Sequence, residues 1–262
     1  ASIRWKKSMK WSDNNLLWGR PLRSILAIYN NKTLNFDYGH LKSTNLTYIE
    51  KDLEIKSKII LNYKDYRDYL KENEITLDHK EREKIILKRI NNICKKKKFS
   101  NFYNPKLLNE VVNIVDNPHI LLIEFDKKFL ELPKEIIIST LENHQRYFPI
   151  FNNQSELTNS FIVVSNKKDT DNLIKNGNKR VVEARLSDAK FFWDKDKSKN
   201  LIKQIVNLKK IIFYDKLGTL YDKTQRLRKI SGMFADDLNL NKEKIEIAAS
   251  ISKSDLCSDL VN

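Results

Sequence analysis

Apolar and polar positions follow two different periods along this chain, and they separate a mixed α/β region from a helical one. In the middle, the apolar runs at 146–151 and 160–164 have the length of strands. Asn152-Asn153 between them has turn chemistry, because asparagine tolerates left-handed backbone angles. Beyond residue 196 apolar positions recur only at helical spacing. The pattern predicts a domain boundary within 194–199, or inside a helix that crosses it.

Two elements nearer the amino end are predicted from turn and cap chemistry. A hairpin is expected to join 22–29 to 33–38 across Asn30-Asn31-Lys32. A helix is expected over 78–93, with Asp78 as its cap. Its apolar face is expected to hold Ile86, Ile90 and Ile93.

Three further elements lead into the central strands. Asn104-Pro105 combines a cap with a first-turn proline and begins a helix. The wide apolar face of that helix consists of Leu107, Leu108, Val111, Val112 and Val115. A short buried strand is expected over 120–125. Leu132-Pro133 then starts a helix that turns Ile137 and Leu141 inward and delivers His144 to the central stretch.

A cationic amphipathic helix is predicted after the second central strand. Gly177 is expected to break the chain, and the helix is expected from Val181 onward. Its inward positions are predicted to be Val182, Ala189 and Phe192. Arg180, Arg185 and Lys190 are expected to project from its flanks.

The carboxyl-terminal part is predicted to contain helices and no strand. One apolar face would hold Leu201, Ile205, Leu208 and Ile212, and the next Leu220, Leu227, Ile230, Phe234 and Leu238. A third helix is expected over 245–261. The chain begins without Met and ends at Val261-Asn262 without a helix-stop residue, which indicates a piece of a longer protein.

Composition indicates a soluble protein of a reducing cytoplasm. The 262 residues are 40% hydrophobic, enough to fill a core, and no apolar run has membrane-spanning length. Cys94 and Cys257 lie far apart, and neither belongs to a Cys-x-x-Cys pair. Neither a disulfide framework nor a zinc site is therefore expected.

The charge indicates a polyanionic partner. The formal net charge is +15 and the isoelectric point is near 9.5. Most of the basic residues are lysines spread along the chain, and such lysines are commonly only solvated. Clustered arginines are better candidates, since a guanidinium forks onto phosphate. The four lysines at 95–98 are expected to form a solvated helix end, with a nucleic-acid contact as the alternative.

Three strings in order resemble the beta subunit of bacterial tetrameric glycyl-tRNA synthetase. They are His-Gln-Arg-Tyr-Phe-Pro at 144–149, Gly-Asn-Lys-Arg-Val-Val-Glu-Ala-Arg-Leu-Ser-Asp-Ala-Lys-Phe-Phe-Trp at 177–193, and Leu-Gly-Thr-Leu-Tyr-Asp-Lys-Thr at 217–224. The resemblance also includes Gly-Arg-Pro-Leu-Arg at 19–23 and is weakest over 46–98. There Ile49-Glu50-Lys51-Asp52 replaces a string like Gly-His-Arg-Phe, so the role of that string does not carry over.

The resemblance implies an α+β fold class with two domains. Residues 1–196 would form a mixed-sheet α/β domain like the editing-type domain of the phenylalanyl-tRNA synthetase beta chain. Residues 197–262 would be the first helices of an all-α domain related to the His-Asp phosphohydrolases. Such hydrolases need histidine and aspartate metal ligands. Here 248–255 reads Ala-Ala-Ser-Ile-Ser-Lys-Ser-Asp and no histidine follows His144, so no metal site is expected.

The resemblance also implies a role in translation without bond-making residues of its own. The family places amino acid activation, with ATP and Mg²⁺, on the separate alpha subunit. This chain shows no Gly-rich phosphate loop, and no catalytic residue or cofactor is expected in it. Its expected partners are the alpha subunit, tRNA(Gly) and the remainder of the beta subunit, with no membrane. The candidate tRNA-binding residues are Arg180, Arg185, Lys223, Arg226 and Arg228.

Alternatives remain open for several of these residues. The candidate cations could be surface charges paired with Asp222 or Asp188. The whole region could be a scaffold that never touches tRNA, or a vestigial domain for editing aminoacyl esters. His144 could act as a general base, but no partner is tied to it, which favours a structural or hydrogen-bonded histidine. Phe191, Phe192 and Trp193 are expected to pack in the core or at the domain junction, with a base-stacking surface as the alternative.

Overall fold

The fold is a mixture of small sheets and helices, as predicted. The computed structural model describes residues 7–10, 13, 16–51, 54–100 and 104–261. The chain divides into two compact units, the first comprising 1–86 and 112–118 and the second 87–111 and 119–262. None of the helices in the described ranges is long and apolar enough to cross a membrane. The predicted division into domains at residue 196 stays a prediction.

The described residues of the first unit form short strands and the helix α1. Its elements are β1 (Met9–Lys10), β2 (Leu17–Trp18), β3 (Ile25–Leu26), β4 (Ile28–Tyr29), β5 (Lys32–Thr33), β6 (Asp37–Tyr38), β7 (Leu41–Thr44), β8 (Leu46–Lys51), β9 (Glu54–Ile59) and α1 (Tyr63–Glu72). β7 lies between β3, to which it is parallel, and β6, to which it is antiparallel. β8 and β9 form an antiparallel ribbon. The core of this unit contains Ile49, Ile60, Tyr69 and Leu70.

The predicted hairpin is present, but its strands are shorter than predicted. β4 and β5 pair across Asn30 and Asn31, whose φ angles are 48° and 59°. Two consecutive positive φ angles fit a two-residue type I′ turn, which matches the natural twist of a hairpin. The predicted strand over 22–29 is interrupted because Ile25–Leu26 pairs with β7 instead.

Two long helices follow, and each carries a cap that the sequence predicted. α2 spans His79–Lys97, and the Asp78 carboxylate accepts a hydrogen bond from the Lys80 amide at 2.7 Å. The buried residues of α2 beyond residue 85 are Ile86, Ile90 and Cys94, and Ile93 of the predicted apolar face is only partly buried. α3 spans Pro105–Ile114, and the Asn104 amide oxygen accepts from the Lys106 amide at 3.0 Å. All five predicted apolar residues of this region are buried.

The second unit holds the remaining strands and helices. In chain order they are β10 (His119–Glu124), α4 (Lys134–Ser139), β11 (Phe148–Phe151), β12 (Leu157–Ser165), α5 (Leu173–Lys197), α6 (Leu201–Gln204), β13 (Ile212–Tyr214), β14 (Gly218–Thr219), α7 (Leu220–Asp237) and α8 (Lys242–Ile251). Short 3₁₀ helices lie at Lys127–Glu131, Ile205–Lys210 and Ser254–Cys257. A π-helical segment, Thr140–His144, continues α4.

The central strands form an antiparallel sheet in the order β10-β12-β11, which confirms the predicted strands. The turn between β11 and β12 depends on Asn152, whose side-chain oxygen accepts from the amides of Gln154 and Glu156, both at 2.9 Å. α5 packs on this sheet through Val182 and Leu186, which are fully buried. The core between them also holds Ile123, Phe125, Ile137, Leu141, Phe161 and Val163.

Gly177 does not break the chain, so that prediction was wrong. α5 begins at Leu173, four residues before Gly177, and follows Asn172, whose φ is 56°. The Asp169 carboxylate accepts from the amides of Ile174 at 3.1 Å and Lys175 at 3.0 Å, which satisfies donors that the first helical turn leaves open. Phe192 was also misplaced, because 38% of its surface is exposed. The apolar residues beyond Leu186 that pack against the core are Ala189 and Trp193.

The carboxyl-terminal part departs most from the prediction. β13 and β14 form an antiparallel ribbon where no strand was expected, and Ile212 is 78% exposed within it. The inward residues of α7 are Leu220, Thr224, Gly232 and Ala235, whereas Ile230, Phe234 and Leu238 are exposed. The helix predicted over 245–261 ends at Ile251. Apolar spacing was misleading here because the small residues Gly232 and Ala235 form the face of closest packing.

Candidate nucleic-acid interface

A hydrogen bond joins two of the sequence strings that carry the family resemblance. The Tyr147 hydroxyl donates to the side-chain oxygen of Asn178, and the Asn178 amide nitrogen donates to the Ile174 carbonyl at 2.7 Å. The Tyr147 ring is 9% exposed and lies 5.3 Å, centroid to centroid, from the stacked ring of Phe161. Burial raises the pKa of the Tyr147 hydroxyl, which remains a donor. This contact fixes the first part of α5 against the sheet.

Arg146, from the first of those strings, closes the end of the π-helical segment. Its φ is 61°, and its Nε lies 2.6 Å from a carboxylate oxygen of Glu110. Its Nη1 donates to the carbonyl oxygens of Glu142, at 3.2 Å, and Asn143. The Arg146 side chain is therefore used in contacts that hold the fold together. The side chain of nearby His144 is exposed and makes no hydrogen bond to any described residue, so the expected hydrogen bond of this histidine is not observed there.

Arg180 and Arg185 are both exposed on α5, and neither is hydrogen-bonded or ion-paired to another described residue. The alternative in which Arg180 or Arg185 pairs with Asp188 is therefore not observed in the described part of the chain. Five positions along a helix rotate a side chain by about 140°, so the two guanidinium groups leave α5 on opposite flanks of its buried face. The third flanking cation, Lys190, is held by Glu131 at 2.7 Å and Asp194 at 3.3 Å. These carboxylates, Glu131 foremost, raise the Lys190 pKa.

The three candidate cations of α7 have different surroundings. The Lys223 ammonium lies 3.8 Å from the centroid of the Phe213 ring, a cation–π contact. Arg226 is exposed, three positions further on the same side of the helix. Arg228 instead faces α8, where its Nε and Nη2 both lie 2.9 Å from one oxygen of Glu246. The fold keeps Lys223 and Arg226 together and separates Arg228 from them.

The turn before α7 is held by a reciprocal cap. The Asp222 side chain accepts from the Thr219 amide at 2.8 Å, while the Thr219 hydroxyl accepts from the Asp222 amide at 3.3 Å. The Thr219 amide is the main reason that the Asp222 pKa lies below its usual range, and the charge of Arg226 adds to it. The string Leu217–Thr224 therefore forms a helix start that orients Lys223 and Arg226.

Four lysines that sequence reasoning did not select converge in the second unit. Lys96 and Lys97 of α2 and Lys175 and Lys179 of α5 line one groove of about 680 Å³. The run at 95–98 was visible, but it was interpreted as a solvated helix end. Nothing in the sequence joins it to α5, about eighty positions away, and only the fold brings the two groups together.

The part of the chain that the structure describes holds no group of three or more His, Cys, Asp or Glu side chains arranged to hold a metal ion. Cys94 is buried and Cys257 is partly buried, and both are free thiols. Burial raises the pKa of each thiol.

Comparison with known proteins gives a consistent family over the whole chain. The chain is 35% identical over 262 residues to the glycine–tRNA ligase beta subunit of Syntrophomonas wolfei, covering 99% of this chain and 38% of that protein. It is 38% identical over 258 residues to that of Rickettsia peacockii and 38% identical over 264 residues to that of Clostridioides difficile. These matches cover 98% and 99% of this chain, respectively, and 38% of either relative. Because the profile of the glycyl-tRNA synthetase beta subunit family matches residues 1–262, the chain belongs to that family.

Proposed function

We propose that this chain binds and positions tRNA(Gly) and helps to assemble a glycine–tRNA ligase, as part of its beta subunit. The observation that carries the proposal is the family match over residues 1–262. The chain spans about 38% of the length of the relatives it matches, so the activity belongs to a larger assembly. In this proposal the alpha subunit carries amino acid activation with ATP and Mg²⁺, and this chain makes no bond itself.

The proposed mechanism is positioning by contacts to the phosphate backbone. Such contacts fix the orientation of a nucleic acid without reading its sequence. Arg180, Arg185 and Arg226 are exposed and have no ion pair within the described part of the chain, so their charges are available. Arg228 already has a carboxylate partner in Glu246, and binding phosphate there would require that pair to open. Arg180, Arg185 and Arg226 are therefore stronger candidates than Arg228, and Arg185 and Arg226 represent the two helices α5 and α7.

The test is the double substitution Arg185→Ala, Arg226→Ala in the full-length protein, purified together with the alpha subunit. We expect weaker tRNA binding at low salt and an unchanged melting temperature, because both side chains are exposed. Each lost phosphate contact lowers the slope of log K against log salt by about 0.9, so the slope should fall by about two.

The matched control is Arg23→Ala, Arg67→Ala, which removes the same charge from two exposed sites in the first unit. The side chains of Arg23 and Arg67 are 74% and 57% exposed, and their ion pairs with Glu50 and Asp68 are at the surface. A salt slope that changes equally in both double variants would contradict the assignment of Arg185 and Arg226. Failure of the unsubstituted protein to bind tRNA would contradict the proposed function itself.

A second candidate function, a scaffold that contacts another protein and not tRNA, is favoured by the outer face of α7. Ile230 is 51% exposed, Met233 67% and Phe234 60%, although all three are large and apolar. Exposed apolar patches commonly mark protein interfaces. The substitutions Ile230→Gln and Phe234→Gln should then abolish association with the alpha subunit while the salt slope for tRNA stays unchanged. Normal association of that variant would exclude this face as the contact.

We further propose the two fold relations that the resemblance implies. Residues 1–196 would correspond to an editing-type domain and residues 197–262 to the beginning of a helical domain of the His-Asp type. A helical end containing α7 and α8 supports the second relation. The experimental structure of a full-length relative, superposed on residues 197–262, tests it through the positions of these two helices.

A further inference from the structure

A groove in the second unit runs between α2 and α5 and has β10 as its floor. It consists of two cavities of about 680 Å³ and 340 Å³ that share Ile93 in their lining. α2 contributes Arg89, Asn92, Ile93, Lys96 and Lys97, at the helical spacing that places side chains on one face. This face adjoins the buried one, which holds Ile86, Ile90 and Cys94. The opposite wall is the first part of α5 and the loop before it.

The groove carries a strong excess of positive charge. Its basic lining residues are Arg89, Lys96, Lys97, Lys168, Lys175 and Lys179, against Glu124 and Asp169. The Asp169 carboxylate is already occupied by the amides of Ile174 and Lys175, so it offers little to a lysine. Lys179 lies 3.8 Å from Glu183, a weak pair.

Four of these lysines have no ion pair with a carboxylate in the described ranges, namely Lys96, Lys97, Lys168 and Lys175. Uncompensated like charges facing one groove repel each other, and a bound polyanion would remove that repulsion. The amide side chains of Asn92, Asn172 and Asn176 also line the groove and can donate hydrogen bonds to phosphate or sugar oxygens.

The arrangement fits an extended anion better than a single phosphate. From Arg89 to Lys97, α2 rises by about 12 Å, so its cations are spread along the groove and do not converge on one point. The Ile174 and Lys175 amides at the start of α5 already donate to the Asp169 carboxylate, so they do not form a helix-terminus site for a small anion. Arg180 follows Asn176 by four positions on α5 and therefore extends the charged rim.

We propose that the groove between α2 and α5 binds the phosphodiester backbone of RNA, through Lys96, Lys97 and Lys175. This inference rests on the proposed function and adds lysine contacts that the candidate residues do not include, in a groove whose rim Arg180 extends. The lysines act as sequence-independent phosphate contacts, and binding there should depend steeply on salt. The groove gives the RNA a second anchor on the sheet side of α5.

The test compares two triple variants of the full-length protein with its copurifying subunit, using tRNA(Gly) as the probe. Lys96→Gln, Lys97→Gln, Lys175→Gln neutralises the groove, and glutamine keeps the helix propensity of lysine. Lys106→Gln, Lys134→Gln, Lys244→Gln removes the same charge from exposed lysines on α3, α4 and α8. We expect the salt slope to fall by two to three in the groove variant, since each contact accounts for about 0.9, and by less than one in the control.

Equal slopes in the two triple variants, with tRNA binding intact in the parent, would overturn the groove and leave the proposed function standing. Absence of tRNA binding by the parent protein would overturn both. Loss of alpha-subunit association in the groove variant, with an unchanged tRNA slope, would overturn the RNA assignment in favour of an acidic protein segment. A melting temperature within a few degrees of the parent shows that a variant is folded. If the triple groove variant does not fold, the double variant Lys96→Gln, Lys97→Gln is measured in its place.

Discussion

Tyr147 donates a hydrogen bond from its hydroxyl to the side-chain oxygen of Asn178, across the boundary between the central sheet and α5. Asn178 is itself tied to the Ile174 carbonyl one turn earlier, so the acceptor is held in place. The two residues are about thirty positions apart in the chain. Their contact links the strings at 144–149 and 177–193, because each supplies one side chain of a partly buried hydrogen bond.

Removing this hydrogen bond should destabilise the second unit measurably. We expect Tyr147→Phe to lower the free energy of unfolding by about 0.5–1.5 kcal/mol, because the partly buried Asn178 oxygen loses its donor while the ring remains. Urea denaturation measures the change. Tyr29→Phe is the control, since Tyr29 is 73% exposed and should lie within about 0.5 kcal/mol of the parent. A double-mutant cycle with Asn178→Ala that shows no coupling energy would contradict the contact.

Gly177 lies inside α5, whereas Gly218 lies in the turn before α7. We predict that substitution by alanine has opposite effects at these two positions. Beyond the adjacent residues and the backbone of α5 itself, no described atom lies within 4 Å of a Cβ built on Gly177, so Gly177→Ala should stabilise by about 0.5–1 kcal/mol through helix propensity. Gly218 has a φ of +83°, and a Cβ there would lie 2.5 Å from an Asp222 carboxylate oxygen. Gly218→Ala should therefore destabilise and disturb the start of α7. Thermal unfolding decides, and a destabilised Gly177→Ala would mean that the helix breaks there after all.

The buried face of α5 can be tested with two substitutions on the same helix. Leu186 is fully buried, and Leu186→Ala should cost about 2–5 kcal/mol through lost burial and the cavity left behind. Phe192 is the larger side chain but is 38% exposed, so Phe192→Ala should cost much less. Chemical denaturation with equal m values for both variants gives the comparison. The reverse order would restore the inward position that apolar spacing suggested for Phe192.

Asp196 should give the second unit an acid-sensitive component of stability. Burial raises its pKa, but the amides of Asp259 and Leu260 and the Lys199 ammonium more than offset this and hold the pKa below its usual range. The amides donate at 3.0 Å and 2.9 Å, and the Asp196 side chain is only 13% exposed. A depressed pKa contributes stability that is present above the unfolded-state pKa of about 3.9 and is lost as the pH falls through the folded-state value.

Asp196→Asn should therefore lower stability at pH 7 and flatten the decline of stability below about pH 4. Asp237→Asn is the control and should leave the pH profile unchanged, because this exposed carboxylate on α7 makes no hydrogen bond or ion pair with a described residue. Unfolding free energies measured from pH 7 to pH 3 separate the two variants. Parallel profiles for Asp196→Asn and the parent would refute the role of the carboxylate.

Local chemistry in the sequence was sufficient for several elements. The Asn30-Asn31 turn, the caps at Asp78 and Asn104, and the strands around Asn152 form as predicted, because each depends on side chains within a few positions of the backbone they satisfy. The family was likewise recognisable, since its strings are continuous in the chain. These features require no knowledge of distant contacts.

Tertiary structure alone decided which faces are buried and which cations meet. α7 turns Gly232 and Ala235 inward and leaves Phe234 exposed, because close packing against α8 rewards small side chains over apolar ones. The lysines of α2 and α5 likewise share a groove only because both helices lie beside β10. Periodicity records the character of each position, whereas burial and convergence depend on a partner surface that lies elsewhere in the chain.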